Sequence, residues 1–258
     1  MKSLRTLGVV ALTYFLLAGG PAVSIEPETD ANVVTGLDFS HSVSLDDHRI
    51  VQEGLAKALL SPKVLHAIQA GHHGRIGFTV FGWHTKTLPI LPWMLIGSAD
   101  DAAQAVQRIR DALGEQITAE ANLRRVEKRF GRPTDISQAL SAASGMLQKA
   151  PFRSARSVIN IVGNGPDNVN KGPQAARDAA LALGFTINGV VLGQEPDVIT
   201  YFQDHVVGGP GSFVEHVPSA EVIANVFKRK FINDIIIGFA VSPQPNPRGY
   251  RPTPRKYR

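Results

Sequence analysis

Apolar and polar positions follow two periods along this chain, and the two periods take turns. Residues 33–40, 75–83, 156–162, 185–192 and 212–217 are short runs rich in Val, Ile, Phe and Thr, the composition of buried strands. Residues 45–70, 99–113, 134–147, 171–183 and 220–231 instead carry apolar side chains at helical spacing. In the first of these the stripe is Ile50, Leu55, Ala58 and Leu59, then Val64, Leu65 and Ile68, with Pro62 marking a break. Ser98 stands as a cap before the second. Residues 196–205 read as a short helix, and residues 87–93 as a strand whose prolines place it at a sheet edge. The alternation predicts an α/β fold, doubly wound, with a mostly parallel central sheet flanked by helices. Residues 235–240 are apolar but too few to span a membrane, so they are expected against the core or the sheet.

The two ends depart from the pattern. Lys2 and Arg5 precede an apolar run over residues 7–20, and Ala22-Val23-Ser24 gives a small-x-small cleavage signal, so residues 1–24 read as a signal peptide. An uncleaved anchor is the alternative, but the run is shorter than the ~20 residues a span requires. Residues 243–258 hold Arg248, Arg251, Arg255, Lys256 and Arg258 among prolines and no acid, which predicts an extended, disordered tail able to touch anionic surfaces. The domain itself is thus residues 25–242. The charge of +5 belongs to the ends; without them the body stands at −2, which argues against a nucleic-acid partner. Export places the protein in a bacterial periplasm or outside the cell, with no transmembrane span in the mature chain. The absence of cysteine excludes disulfides, thiol catalysis and thiolate metal sites.

Candidate chemistry sits where the first strand runs out, in Asp38-Phe39-Ser40-His41-Ser42. Side chains at i, i+2 and i+4 share a face while the chain is extended, and a tight loop can gather a carboxylate and two hydroxyls about 2.1 Å from a small cation such as Mg²⁺. Taken alone, the pattern fits a capped turn equally well. In α/β sheets of this kind, ligands bind beyond the carboxyl ends of the strands, and Gly163-Asn164-Gly165 occupies such an end too.

Together with Thr134, in Gly131-Arg132-Pro133-Thr134-Asp135, these segments resemble the von Willebrand factor type A domain. More closely, Leu91-Pro92-Trp93-Met94-Leu95-Ile96, Ala155-Arg156-Ser157-Val158-Ile159-Asn160, Gly165-Pro166-Asp167-Asn168, Thr186-Ile187-Asn188-Gly189 and Val207-Gly208-Gly209-Pro210-Gly211 are similar to a bacterial secreted family, the domain of unknown function 1194. The resemblance spans residues 33–236. It implies a metal-ion-dependent adhesion site in which Asp38, Ser40, Ser42 and Thr134 hold Mg²⁺, or Mn²⁺ or Ca²⁺, and an acidic group of a partner protein completes the coordination. Such a site serves protein binding and not catalysis. Asn164 stands where these domains usually carry an acid, which removes one negative charge and is expected to weaken the cation while favouring an anionic partner. Asp167 either restores that charge or caps a turn.

Other patterns carry less. His72-His73, with His41 and His84 elsewhere, lacks zinc spacing. No Gly-x-Ser-x-Gly elbow supports a hydrolase, and residues 207–211 lack the Lys-Ser/Thr of a phosphate loop. A metal-independent envelope scaffold of the same fold remains the alternative function, with an envelope hydrolase behind it.

Overall fold

The computed structural model describes residues 26–126, 133–169 and 172–240; the expected signal peptide and the basic tail lie outside the described residues. Strand periodicity becomes structure in β1 (Glu28–Thr29), β2 (Asn32–Asp38), β3 (Ile76–Trp83), β4 (Thr87–Ile96), β5 (Arg153–Ser154), β6 (Ser157–Gly163), β7 (Thr186–Leu192) and β8 (Val214–Val217). Six of them form one sheet in the order β4-β3-β2-β6-β7-β8. All neighbours are parallel except β4, which returns antiparallel beside β3 as the edge that its prolines predict. Pro89 and Pro92 both lie in β4. β1 and β5 make a separate two-stranded parallel pair.

Helices α1 (Leu45–Leu59), α2 (Pro62–Gln69), α3 (Ala99–Val126), α4 (Ile136–Gln148), α5 (Gln174–Ala182), α6 (Pro196–Tyr201) and α7 (Ile223–Ala240), with a π-helical turn over Phe202–Val206, cover both faces. Alternate side chains of β2 show the division. Val33 and Leu37 join the core under α1, α2, α3 and α7, while Val34 joins the core under α4, α5 and α6. A strand buried on both faces reads as a continuous apolar run, which is why 33–40 reads as a buried strand.

Several boundaries differ from expectation, three of them for identifiable reasons. The helix expected over 99–113 continues to Val126, because Ile117 extends its buried stripe and no proline intervenes. The helix expected from residue 134 begins at Ile136, because Asp135 is its cap: its Oδ1 accepts from the Gln138 amide at 2.8 Å, leaving Thr134 in the preceding loop. The apolar residues 235–240 complete α7, with Ile235 in the core. Among the described residues no helix is long and apolar enough to cross a membrane.

Candidate functional site

β2 ends at Asp38, between β3 and β6, and the chain turns at once. The Ser40 amide donates to Asp38 Oδ1 at 2.7 Å, which folds the loop back over the strand end. Two residues beyond Ser42, Ser44 caps α1 in a capping box: its Oγ accepts from the Asp47 amide at 3.0 Å and its own amide donates to Asp47 Oδ2 at 3.1 Å. Below, the buried His48 ring stacks on Phe39 with centroids 4.2 Å apart, and its Nε2 donates to the Asp38 carbonyl at 3.0 Å. The loop is therefore fixed at both ends before any ligand arrives.

Asn164 crosses to this loop from the end of β6. Its Nδ2 donates to the Ser42 carbonyl at 3.0 Å, and since a carbonyl can only accept, this settles which end of the amide is which. Its Oδ1 then accepts the Ser42 hydroxyl proton at 2.7 Å. Ser42 has only one proton to give, so in the 2.9 Å contact between the two hydroxyls Ser40 is the donor. The Ser42 hydroxyl proton is thereby committed to Asn164, while the Ser40 hydroxyl faces both Ser42 and the Asp38 carboxyl.

Asp38 is different. It is 3% exposed, and its Oδ2 has no hydrogen-bond partner. Gly163 makes the tight seat possible, since a Cβ there would come within 3.2 Å of that oxygen. Apolar side chains of Leu37, Val43, Val51, Leu113 and Val162 line the small cavity beneath. Burial pushes the carboxyl up to about 6. The Ser40 amide and hydroxyl and the Asn164 amide moderate the rise, yet none closes a bond of normal geometry on Oδ2. A buried carboxylate oxygen without a donor is poorly solvated as an anion and is well suited to a cation.

Thr134 is tied to the loop after β6 through its backbone. It is buried, and its amide donates to Asn168 Oδ1 at 2.8 Å while the Asn168 amide donates to its carbonyl at 2.9 Å. Asn164 and Asn168 belong to one loop, so that loop holds the Ser42 and Thr134 segments together. Asp167 caps: its Oδ2 accepts from the Ser137 amide and its Oδ1 from the Val169 amide, both at 3.2 Å. Its carboxylate is thus engaged at the start of α4, the turn-capping alternative of the two weighed for it. Sequence reasoning missed Ser44, His48 and Asn168. The Ser-x-x-Asp spacing at Ser44 and Asp47 was a usable signal; His48 had none because its contacts depend on the turn after β2, and Asn168 had none because Thr134 lies 34 residues away.

The donor set fits a hard divalent cation by its chemistry, one carboxylate with a bare oxygen and neighbouring hydroxyls. It is poor in charge, and among the described residues no three His, Asp or Glu side chains come together. His72 and His73 pack edge to face 4.7 Å apart, and the His73 amide holds Asp30 at 2.9 Å beside β1, where they serve the loop.

Similarity to known proteins agrees with this geometry at the level of fold. The description "Protein of unknown function (DUF1194)" matches residues 28–238. Comparison with curated proteins gives no match. Among solved structures, a von Willebrand factor type A protein from Catenulispora acidiphila superposes with a TM-score of 0.54 at 14% identity, over 81% of this chain and 43% of the other. The pilus adhesin SpaC from Lactobacillus rhamnosus GG gives 0.54 at 13%, over 80% and 31%. Proximal thread matrix protein 1 from the mussel byssus, with a zinc-occupied MIDAS motif, gives 0.52 at 16%, over 82% and 49%. The chain spans less than half the length of each of these proteins. A sheet of this order with Asp38 at the end of a central strand, and a family match over residues 28–238, make the chain a member of the DUF1194 family with a von Willebrand factor type A fold.

Proposed function

We propose that this protein is an exported binding module that captures an acidic group of a partner protein through a divalent cation at the carboxyl end of its sheet. Asp38, Ser40, Ser42 and Thr134 would hold the ion, Mg²⁺ first and Mn²⁺ or Ca²⁺ next, and Asn164 would act from the outer sphere. The bound ion would supply an electrophilic centre for the partner's carboxylate. The observation that carries this reading is the bare Oδ2 of Asp38, buried at the strand end from which the linked Ser40 and Ser42 hydroxyls follow. The N-terminus of α1 opens two residues after Ser42, and its dipole favours an incoming anion. Two structures of the same fold support the class, one a pilus adhesin and one with a zinc-occupied site. Residues 1–24 would direct export, residues 25–242 would form the module, and the tail from residue 243 would meet anionic surfaces.

A single carboxylate leaves the site poor in charge and lowers its affinity for a divalent ion. The hydrogen bonds that already close Ser40, Ser42 and Asn164 on one another favour a second reading, a scaffold of the same geometry that binds its partner without metal. Calorimetric titration with Mg²⁺ and Mn²⁺ separates the two. Wild type takes up one ion with millimolar or better affinity, Asp38→Ala takes up none, and Asn164→Asp binds roughly tenfold more tightly through the added charge. No heat from wild type, together with partner capture from an envelope extract that survives a chelator, would establish the scaffold instead.

A further inference from the structure

Thr134 is the one member of the proposed ligand set that comes from outside the loops after β2 and β6, so something must set its position. It lies between Pro133, which has no amide proton, and Asp135, the cap of α4. Neither its amide nor its carbonyl belongs to the helical ladder, whose first bond at this end runs from the Ala139 amide to the Asp135 carbonyl. Both groups are taken by one residue, Asn168, through its side-chain oxygen at 2.8 Å and its backbone amide at 2.9 Å. The ring so formed joins positions 34 residues apart. Asn168 itself is steadied on its N-terminal side, since Asp167 is tied to Ser137 and its amide donates to the Tyr201 hydroxyl at 3.3 Å.

We infer that Asn168 is the positioning residue for Thr134, fixing the peptide from which the threonine hydroxyl reaches the cation of Asp38. This rests on the metal reading proposed above. The hydroxyl cannot choose its own place. Its backbone must be held where the loop after β6 puts it, and that loop also carries Asn164 to Ser42, so the hydroxyl donors from two separate segments are set by one stretch of chain.

The test uses the full chain in two arms. In the cation-free protein, NMR hydrogen exchange reads the Thr134 amide: protected in wild type and in Asn168→Asp, whose carboxylate oxygen still accepts, and unprotected in Asn168→Ala. Mn²⁺ titration then reads the consequence. Asn168→Ala loses about ten- to a hundredfold in affinity, Asn168→Asp keeps the wild-type affinity or exceeds it, and adding Asn168→Ala to Thr134→Ala costs nothing more. A thermal midpoint without cation that stays near wild type separates positioning from a general loss of fold. Full Mn²⁺ affinity in Asn168→Ala, with Thr134→Ala impaired, overturns the inference and leaves the metal reading standing. A wild-type chain with a protected Thr134 amide and no Mn²⁺ binding overturns the metal reading, and the role given to Asn168 with it. Further losses on combining the two substitutions would also overturn it, since they would show Asn168 acting elsewhere.

Discussion

Asp38 carries a conflict that the rest of the site does not share. Its Oδ1 is satisfied by the Ser40 amide while Oδ2 is buried bare, so the carboxyl titrates near 6 in place of the ordinary 3.8. Because the folded carboxyl holds its proton to higher pH than the unfolded one, the cation-free fold is favoured below about pH 4 at this residue and loses that advantage as pH rises through about 6. The loss is about 3 kcal/mol when complete. With chelator present, the thermal midpoint of wild type should therefore fall between pH 5 and pH 7.5 by more than that of Asp38→Asn, which cannot ionise. Equal slopes in the two proteins would assign the pH dependence to other groups. A bound cation reverses the sign, since it replaces the proton.

At the scale of elements, α7 meets the sheet through a buried polar network set within its apolar contact. Thr35, Asn160 and Asn188 are register partners on β2, β6 and β7, a row across the middle of an otherwise apolar face. Asp234 of α7 meets this row, accepting from Asn160 Nδ2 and Asn188 Nδ2, each at 2.9 Å. Lys230, one turn earlier, donates to it at 2.8 Å, and both charged side chains are fully buried. Burial lowers the lysine's pKa, and Asp234 opposes that shift. Removing one partner leaves the other charge in the core, so Asp234→Ala should cost about 3–5 kcal/mol in urea unfolding. A cost under about 1 kcal/mol would show that the lysine is neutral in the fold. This network also marks the limit of what the sequence discloses. Strands and helices were legible because burial on one or two faces leaves a period, and the Asp38 and Asn164 loops were legible because they sit at strand ends. Lys230 and Asp234 look like an ordinary surface pair at i, i+4, and Asn160 and Asn188 like interruptions of two apolar runs. Only the register of three strands and the crossing of α7 bring them together, as only the fold brings Asn168 to Thr134.

For the whole molecule, a cation bound to the native state alone acts on a single cooperative unit, two cores on one sheet. At a hundredfold excess over its dissociation constant it adds about 2.7 kcal/mol, which for a domain of this size raises the thermal midpoint by roughly 5–10 °C. Calorimetry with Mg²⁺ and then chelator should move the whole transition up and back. A shifted shoulder with an unmoved main peak would show that the loops respond apart from the core.

The proline-bearing edge has a consequence for how this protein meets others. Pro89 and Pro92 offer no amide to a newcomer along β4, and the opposite edge, β8, is only four residues long. A strand from another chain therefore finds only a short or interrupted ladder on either side of the six-stranded sheet, which counters its growth into ribbons or fibres. Recognition by strand addition is thus disfavoured at both edges of the six-stranded sheet, which leaves its loops and helix surfaces as the better docking ground.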